Sequence, residues 1–240
     1  MMGLSLSRRI RMALILLFAL GFILFLPMRI ALGMAGLERL GVAAREVQGT
    51  VWSGGIDRLM LGTTSLGSVH AGLSPVSLLV GRARFDIWRR NGAADDVAGA
   101  LTVGLGRIGI DDMTGAVPLG RTFAPLPVNS FVMEDVSAWF SGDRCGHAEG
   151  RVRAQMAGQF PGLNLSQGLS GVASCDGDAL LLPLVSQSGL EKVNLRIWRS
   201  GRYVAEMRVE TADTTLGDAL AKAGFVEGGG VRVLKVEGTL

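Results

Sequence analysis

The sequence predicts a mainly β protein, an antiparallel strand meander with a few short helices, preceded by one N-terminal transmembrane helix. Three observations predict it. Thirty-five glycines and only 6% aromatic residues favour short strands and tight turns. Many short runs alternate apolar with polar side chains, the period-two pattern of a half-buried strand. Residues Met12 to Met28, MALILLFALGFILFLPM, carry no charge.

That apolar run comes first in the chain. At about 1.5 Å per residue it spans roughly 25 Å, near the short limit for a membrane helix. Arg11 and Arg29 flank it and can reach the headgroups. Arg8, Arg9 and Arg11 precede the span, so the positive-inside rule places residues 1–11 in the cytoplasm and 29–240 across the membrane. This describes a single-pass protein of a bacterial inner membrane with its bulk in the periplasm. The rival is a cleaved signal peptide with Ala31-Leu32-Gly33 as its site, but Arg29 lies between that site and the apolar run. An uncleaved anchor over 12–28 is the stronger reading.

The formal net charge of +3 also belongs to this segment. From Arg29 onward 21 basic residues match 21 acidic ones. A phosphate-backbone binder would carry a basic run on its folded part, and none is present, which excludes nucleic acid as a partner.

The exported part reads as strands. Residues 42–52 (VAAREVQGTVW), 56–61 (IDRLML) and 66–73 (LGSVHAGL) come first. Ser74-Pro75 breaks the pattern, because the residue before proline avoids the helical region. Val76-Ser77-Leu78-Leu79 is a short apolar turn, and 82–88 (RARFDIW) alternates cleanly. Asn91 to Asp96 is a polar turn, and Val97 to Ile110 supplies one or two strands. Pro118, Pro125 and Pro127 mark 118–130 as a loop and a possible boundary between two lobes. Strands resume at 150–156, 193–199, 203–209 and 231–237, with Ser200-Gly201-Arg202 as a hairpin turn. One helix follows Thr214 or Thr215 as cap, with Leu216, Leu220 and Ala223 on one face and Gly224 at its end.

Cys145 and Cys175 are the only cysteines. In an exported domain an even count favours a disulfide, against two free buried thiols. Four tryptophans, Trp52, Trp88, Trp139 and Trp198, are candidate interaction anchors or core aromatics.

The search for catalytic or metal chemistry returns little. Gly104 to Gly109 spells GxGxxG, but Asp111-Asp112 and the proline loop follow where a dinucleotide site needs a helix. A Gly-rich strand and turn is the better reading. His147 lies two residues from Cys145, yet with Cys175 the set falls short of four zinc ligands. His70 reads as a sheet-facing side chain. Asp95-Asp96, Asp111-Asp112 and Asp176-x-Asp178 sit beside glycines and read as turn residues rather than calcium ligands. Neither GxSxG nor HExxH occurs. The chain reads as no enzyme, with no catalytic, metal or cofactor-binding residue assigned and no cofactor required.

The motifs together resemble a known family. Val47-Gln48-Gly49-Thr50-Val51-Trp52-Ser53-Gly54 is similar to the GTVW-N/S-G opening of the type II secretion system protein N family, the general secretion pathway N proteins. Leu66 to Val69, Leu73-Ser74-Pro75 and Leu78 to Gly81 resemble its LG-x-V…L-x-P-x-x-LL-x-G pattern, with His70-Ala71-Gly72 where an aromatic often stands. Arg144 to Val152 resembles C-x-x-A-x-G-x-V. Leu169-Ser170-Gly171, Cys175-Asp176-Gly177, Leu181 to Leu184 and Ser188-Gly189 resemble LSG…CDG…LLPL…SG, and Gly201-Arg202-Tyr203 its GRY hairpin.

The resemblance implies a curved, partly open sheet of the AsmA type. It implies a non-enzymatic inner-membrane component of the type II secretion system. Such a component contacts other secretion proteins, the inner-membrane platform or the secretin, to support export of folded proteins across the outer membrane. The alternative it leaves is an AsmA-like envelope protein that binds or transfers lipid through an apolar concave face, readable from the inward residues of 82–88 and 193–209.

Overall fold

The computed structural model of the chain describes residues 8–35, 42–61, 64–89, 96–104, 106–156, 163 and 165–240. The tail before Arg8 and most of the polar turn at 91–96, Asp95 included, lie outside these.

The apolar N-terminal run does not form one helix over 12–28. Helix α1 spans Arg8–Leu24 and α2 spans Met28–Ala35. Pro27 separates them, since its ring removes the N–H that a continuing helix would need. Among the described residues no helix is long and apolar enough to cross a membrane. Met28, expected at the end of the apolar span, is instead buried with Ile56, Val69 and Ala71. It rests against Gly54, where an added Cβ would come within 2.2 Å of the Met28 sulfur.

The rest is one antiparallel sheet of fifteen strands. The first eight are β1 (Val42–Thr50), β2 (Ser53–Leu61), β3 (Thr64–Leu73), β4 (Arg82–Arg89), β5 (Val97–Gly104), β6 (Arg107–Pro118), β7 (Val128–Ser141) and β8 (Arg144–Met156). There follow β9 (Leu169–Val172), β10 (Ser174–Asp176), β11 (Ala179–Val185), β12 (Glu191–Ile197), β13 (Arg202–Glu210), β14 (Val226–Gly228) and β15 (Val231–Thr239). Strands lie beside their chain neighbours from β1 to β13, with β10 pairing off the main path on β11; then β15 precedes β14, which forms the outer edge. The expectation of a mainly β antiparallel meander with few short helices therefore holds.

One face of the sheet is mostly apolar, with Arg89 and Glu191 as buried charged exceptions on it. Ile56 pairs with Val69, Ala71 with Ile87, Phe85 with Leu101, and Leu101 with Ile110. The row continues through Leu182–Leu195 and Leu195–Ala205 to Met207–Leu234. In the C-terminal half this face is filled. Phe123 and Leu126 from the segment after β6, Leu165, Leu220 and Phe225 pack onto it.

Phe123 also reveals the curvature. It lies 5.9 Å from Phe131 on β7 and 4.8 Å from Tyr203 on β13. In a flat sheet those strands would stand about 24 Å apart, at roughly 4.8 Å per strand. The sheet is therefore strongly coiled around the 119–127 segment. The inward residues of 193–209 are closed off as a result: Val193, Leu195, Tyr203, Ala205, Met207 and Val209 are all under 5% exposed. The open acyl-chain cradle considered for that stretch is filled with protein.

Helix α4 (Thr214–Lys222) sits where the sequence placed it, but its cap is Asp213, not a threonine. The Asp213 Oδ1 accepts the Thr215 and Leu216 N–H groups at 2.8 and 3.3 Å. A carboxylate here also meets the positive end of the helix, which a hydroxyl does not match.

Candidate functional site

Because the strands alternate in direction, β1, β3, β5 and β7 end at the same rim of the sheet where β4, β6, β8 and β13 begin. We refer to it as the proximal rim, because the N-terminal helices join the sheet there. The Val51 N–H donates to the Leu26 carbonyl at 2.9 Å, and the Leu73 N–H donates to the Val51 carbonyl at 2.8 Å. Two backbone hydrogen bonds thus connect the end of the apolar run to Leu73, the last residue of β3.

Helix α3 (Pro75–Leu79) is the apolar turn of the sequence, and none of its residues is buried. Val76, Leu79 and Val80 are 72%, 87% and 70% exposed. Beside it, one register row reads Arg82, Gly104, Arg107, Ser141, Arg144 across β4 to β8. Residues paired directly across strands point to the same face, so three exposed arginines recur at every second strand. None of the three forms an ion pair among the described residues. The sequence signal for this row was an arginine opening each of β4, β6 and β8.

On the polar face, next to this row, a cleft of about 320 Å³ is walled by Val80, Arg82, Thr102, Arg107, Asp111 and Trp139. Gly104 and Gly109 also line it. Asp111 is already engaged. It accepts from the Thr102 hydroxyl and lies 3.5 Å from Arg84. Arg84 also meets Asp86 at 2.9 Å and Asp112 at 3.7 Å. Its pKa is raised, chiefly by the Asp86 hydrogen bond, with desolvation opposing and the three carboxylate charges adding. The Asp111-Asp112 pair, expected in a turn, lies instead within strand β6 at a register shift, and it pairs with Arg84.

The other singled-out residues fall in separate places. GxGxxG spans the β5–β6 hairpin, and strand rather than helix follows it. His70 stacks on Trp88 directly opposite, 5.8 Å between ring centres, and His147 stacks likewise on Trp139 at 4.2 Å. His147 Nε2 lies 3.3 Å from Glu149. Arg202 lies 3.9 Å over the Trp198 ring. All four tryptophans are half-buried. Asp176 pairs with Arg196 at 2.7 Å. Among the described residues no group of three or more His, Cys, Asp or Glu could hold a metal ion.

Cys145 and Cys175 form a disulfide, with Cα atoms 5.5 Å apart. It joins β8 to β10, two strands that share no ladder pairing along that stretch. The bond therefore closes a seam that backbone hydrogen bonds leave open.

The outer strands are exposed. Apart from the bridge from Thr50 to Pro27, β1 has no strand on its far side among the described residues. At the other edge, β14 covers only the first three residues of β15.

Compared with known proteins, residues 40–235 match the family model described as Type II secretion system (T2SS), protein N. No curated protein and no solved structure matches the chain.

Proposed function

The chain belongs to the type II secretion system protein N family, and from that premise we propose that it acts as a non-enzymatic assembly component held at the inner membrane. In this reading residues 1–11 are cytoplasmic, the apolar run of 12–28 is the anchor up to Met28, whose side chain already sits in the sheet core, and 29–240 form the periplasmic β-rich domain. Its work is to contact other secretion proteins in the periplasm, the inner-membrane platform or the secretin, in support of export of folded proteins.

The observation that carries this reading is the open edge of β1. Among the described residues, the N–H and C=O groups of β1 that point away from β2, on alternate residues, have no partner strand beyond the Thr50–Pro27 bridge and are offered to a partner. Arg45, Glu46 and Gln48 are exposed along it, a polar character that opposes indiscriminate edge-to-edge aggregation.

The test is site-specific photo-crosslinking in cells that assemble the secretion apparatus, with the crosslinker at Arg45 and Gln48 and a control at Arg153 in the sheet interior. Adducts with secretion proteins from the β1 positions alone support the reading. Absence of such adducts, together with normal secretion after deletion, would sink it.

A further inference from the structure

Three features converge on the proximal rim. The apolar N-terminal run meets the sheet there through the Leu26–Val51 hydrogen bond, and Val51 is bonded in turn to Leu73. The α3 turn next to Leu73 exposes Val76, Leu78, Leu79 and Val80 as one apolar knob. The row of Arg82, Arg107 and Arg144 runs away from that knob, and the cleft shared by Val80, Arg82 and Arg107 opens between them.

The acids nearby do not cancel this charge. Asp143 pairs with Arg199 at 3.6 Å, Asp176 with Arg196, and Asp111 with Arg84 and Thr102. Asp178 remains exposed at the β10–β11 turn, further along the rim. An apolar knob beside unpaired arginines has the chemistry of an interfacial anchor, in which side chains enter the acyl boundary and cations meet headgroup phosphates.

We propose that the proximal rim from α3 to β8 docks on an anionic phospholipid bilayer. Val76, Leu78, Leu79 and Val80 enter the interface, and Arg82 and Arg107 hold a headgroup phosphate at the cleft. The docking fixes the domain's orientation on the membrane, which a single flexible tether would leave free. It rests on the reading of residues 12–28 as an anchor, because that reading brings this rim to the bilayer.

The test uses the full chain with its disulfide intact, in vesicles of phosphatidylglycerol and phosphatidylethanolamine with bromine-labelled acyl chains. A fluorophore is placed through Phe18→Cys, Leu79→Cys or Ala212→Cys. Position 18 reads the anchor, position 79 reads the knob, and position 212 lies at the opposite end of the sheet. Quenching at 79 but not at 212 is the expected result. Combining Arg82→Glu with Arg107→Glu, or replacing the lipid by phosphatidylcholine, is expected to lower quenching at 79 to roughly half or less.

Quenching at 18 without quenching at 79 overturns this inference and leaves the anchor standing. Quenching at 79 without 18 supports the rim and removes the anchor. Quenching at neither position overturns both. Protection of position 79 only in native membranes, and not in protein-free vesicles, assigns the knob to a protein partner and also overturns the proposal.

Discussion

The Tyr203 hydroxyl donates a hydrogen bond of 2.5 Å to the Thr122 carbonyl, tying β13 to the segment that follows β6. The bond spans 81 residues of chain and closes the coiled sheet over its core. Phe123, edge-on to the Tyr203 ring, shares that position. Replacing Tyr203 by Phe keeps the ring packing and leaves the Thr122 carbonyl without its donor. The expected loss is about 1–2 kcal/mol, measured by urea unfolding with an unchanged m-value.

The same residue makes a pH prediction. Tyr203 is the single tyrosine of the chain, so phenolate absorbance reports it alone. Burial raises its pKa above the ordinary value of 10. The unfolded chain therefore releases this proton at lower pH than the folded one. Its contribution is intact below pH 10 and is lost as pH rises through the folded value. The folded protein is expected to titrate later than the urea-unfolded chain, and Tyr203→Phe is expected to flatten part of the alkaline fall in stability.

Reduction of Cys145–Cys175, or the double change to Ser, is expected to cost roughly 3.6 kcal/mol by loop-closure entropy over its span. Urea midpoints of oxidised and reduced protein check this. Thiol labelling of the denatured, unreduced protein should modify neither cysteine.

Gly150 has φ +95, and a Cβ there would come within 2.3 Å of the Asp135 carbonyl oxygen and 2.5 Å of the Val136 Cα. Both obstacles are backbone and cannot rotate away. Gly150→Val is expected to destabilise by about 3 kcal/mol or more, or to prevent folding. Circular dichroism melting of the variant beside the wild type measures it.

Leu220 is fully buried on α4, where it faces the apolar side of the sheet. Leu220→Ala is expected to cost about 2–5 kcal/mol. Asp213→Ala, which removes only the helix cap, is expected to cost about 1 kcal/mol. Thermal melts of the two variants should keep that order.

Alternation made most strands legible, because a half-buried sheet imposes its period on each strand separately. The hairpin at Ser200-Gly201-Arg202 and the stop at Ser74-Pro75 were equally local signals. What stayed hidden depends on distant chain. Met28 reads as the last residue of an apolar run, and only Gly54 on the facing strand shows that it fills a gap in the core. Asp213 lies before two better-looking hydroxyls and caps the helix because its carboxylate reaches two N–H groups. The arginine row needed the register of four hairpins before its members became neighbours. The proline-bearing segment after β6 reads as a loop and a lobe boundary, while the coil of the sheet makes it a core element through Phe123 and Leu126.

The sequential order of the sheet bears on how the chain reaches this state. From β1 to β13 each strand joins a partner already made, so a chain delivered from its N-terminus can zip up as it arrives. Local pairing keeps the contact order low for a protein this rich in strands, and rapid growth is the consequence. β14 and the Tyr203–Thr122 closure must wait for the last third of the chain. Until then the apolar face stays bare, and that interval is when a chaperone would find the most surface to hold.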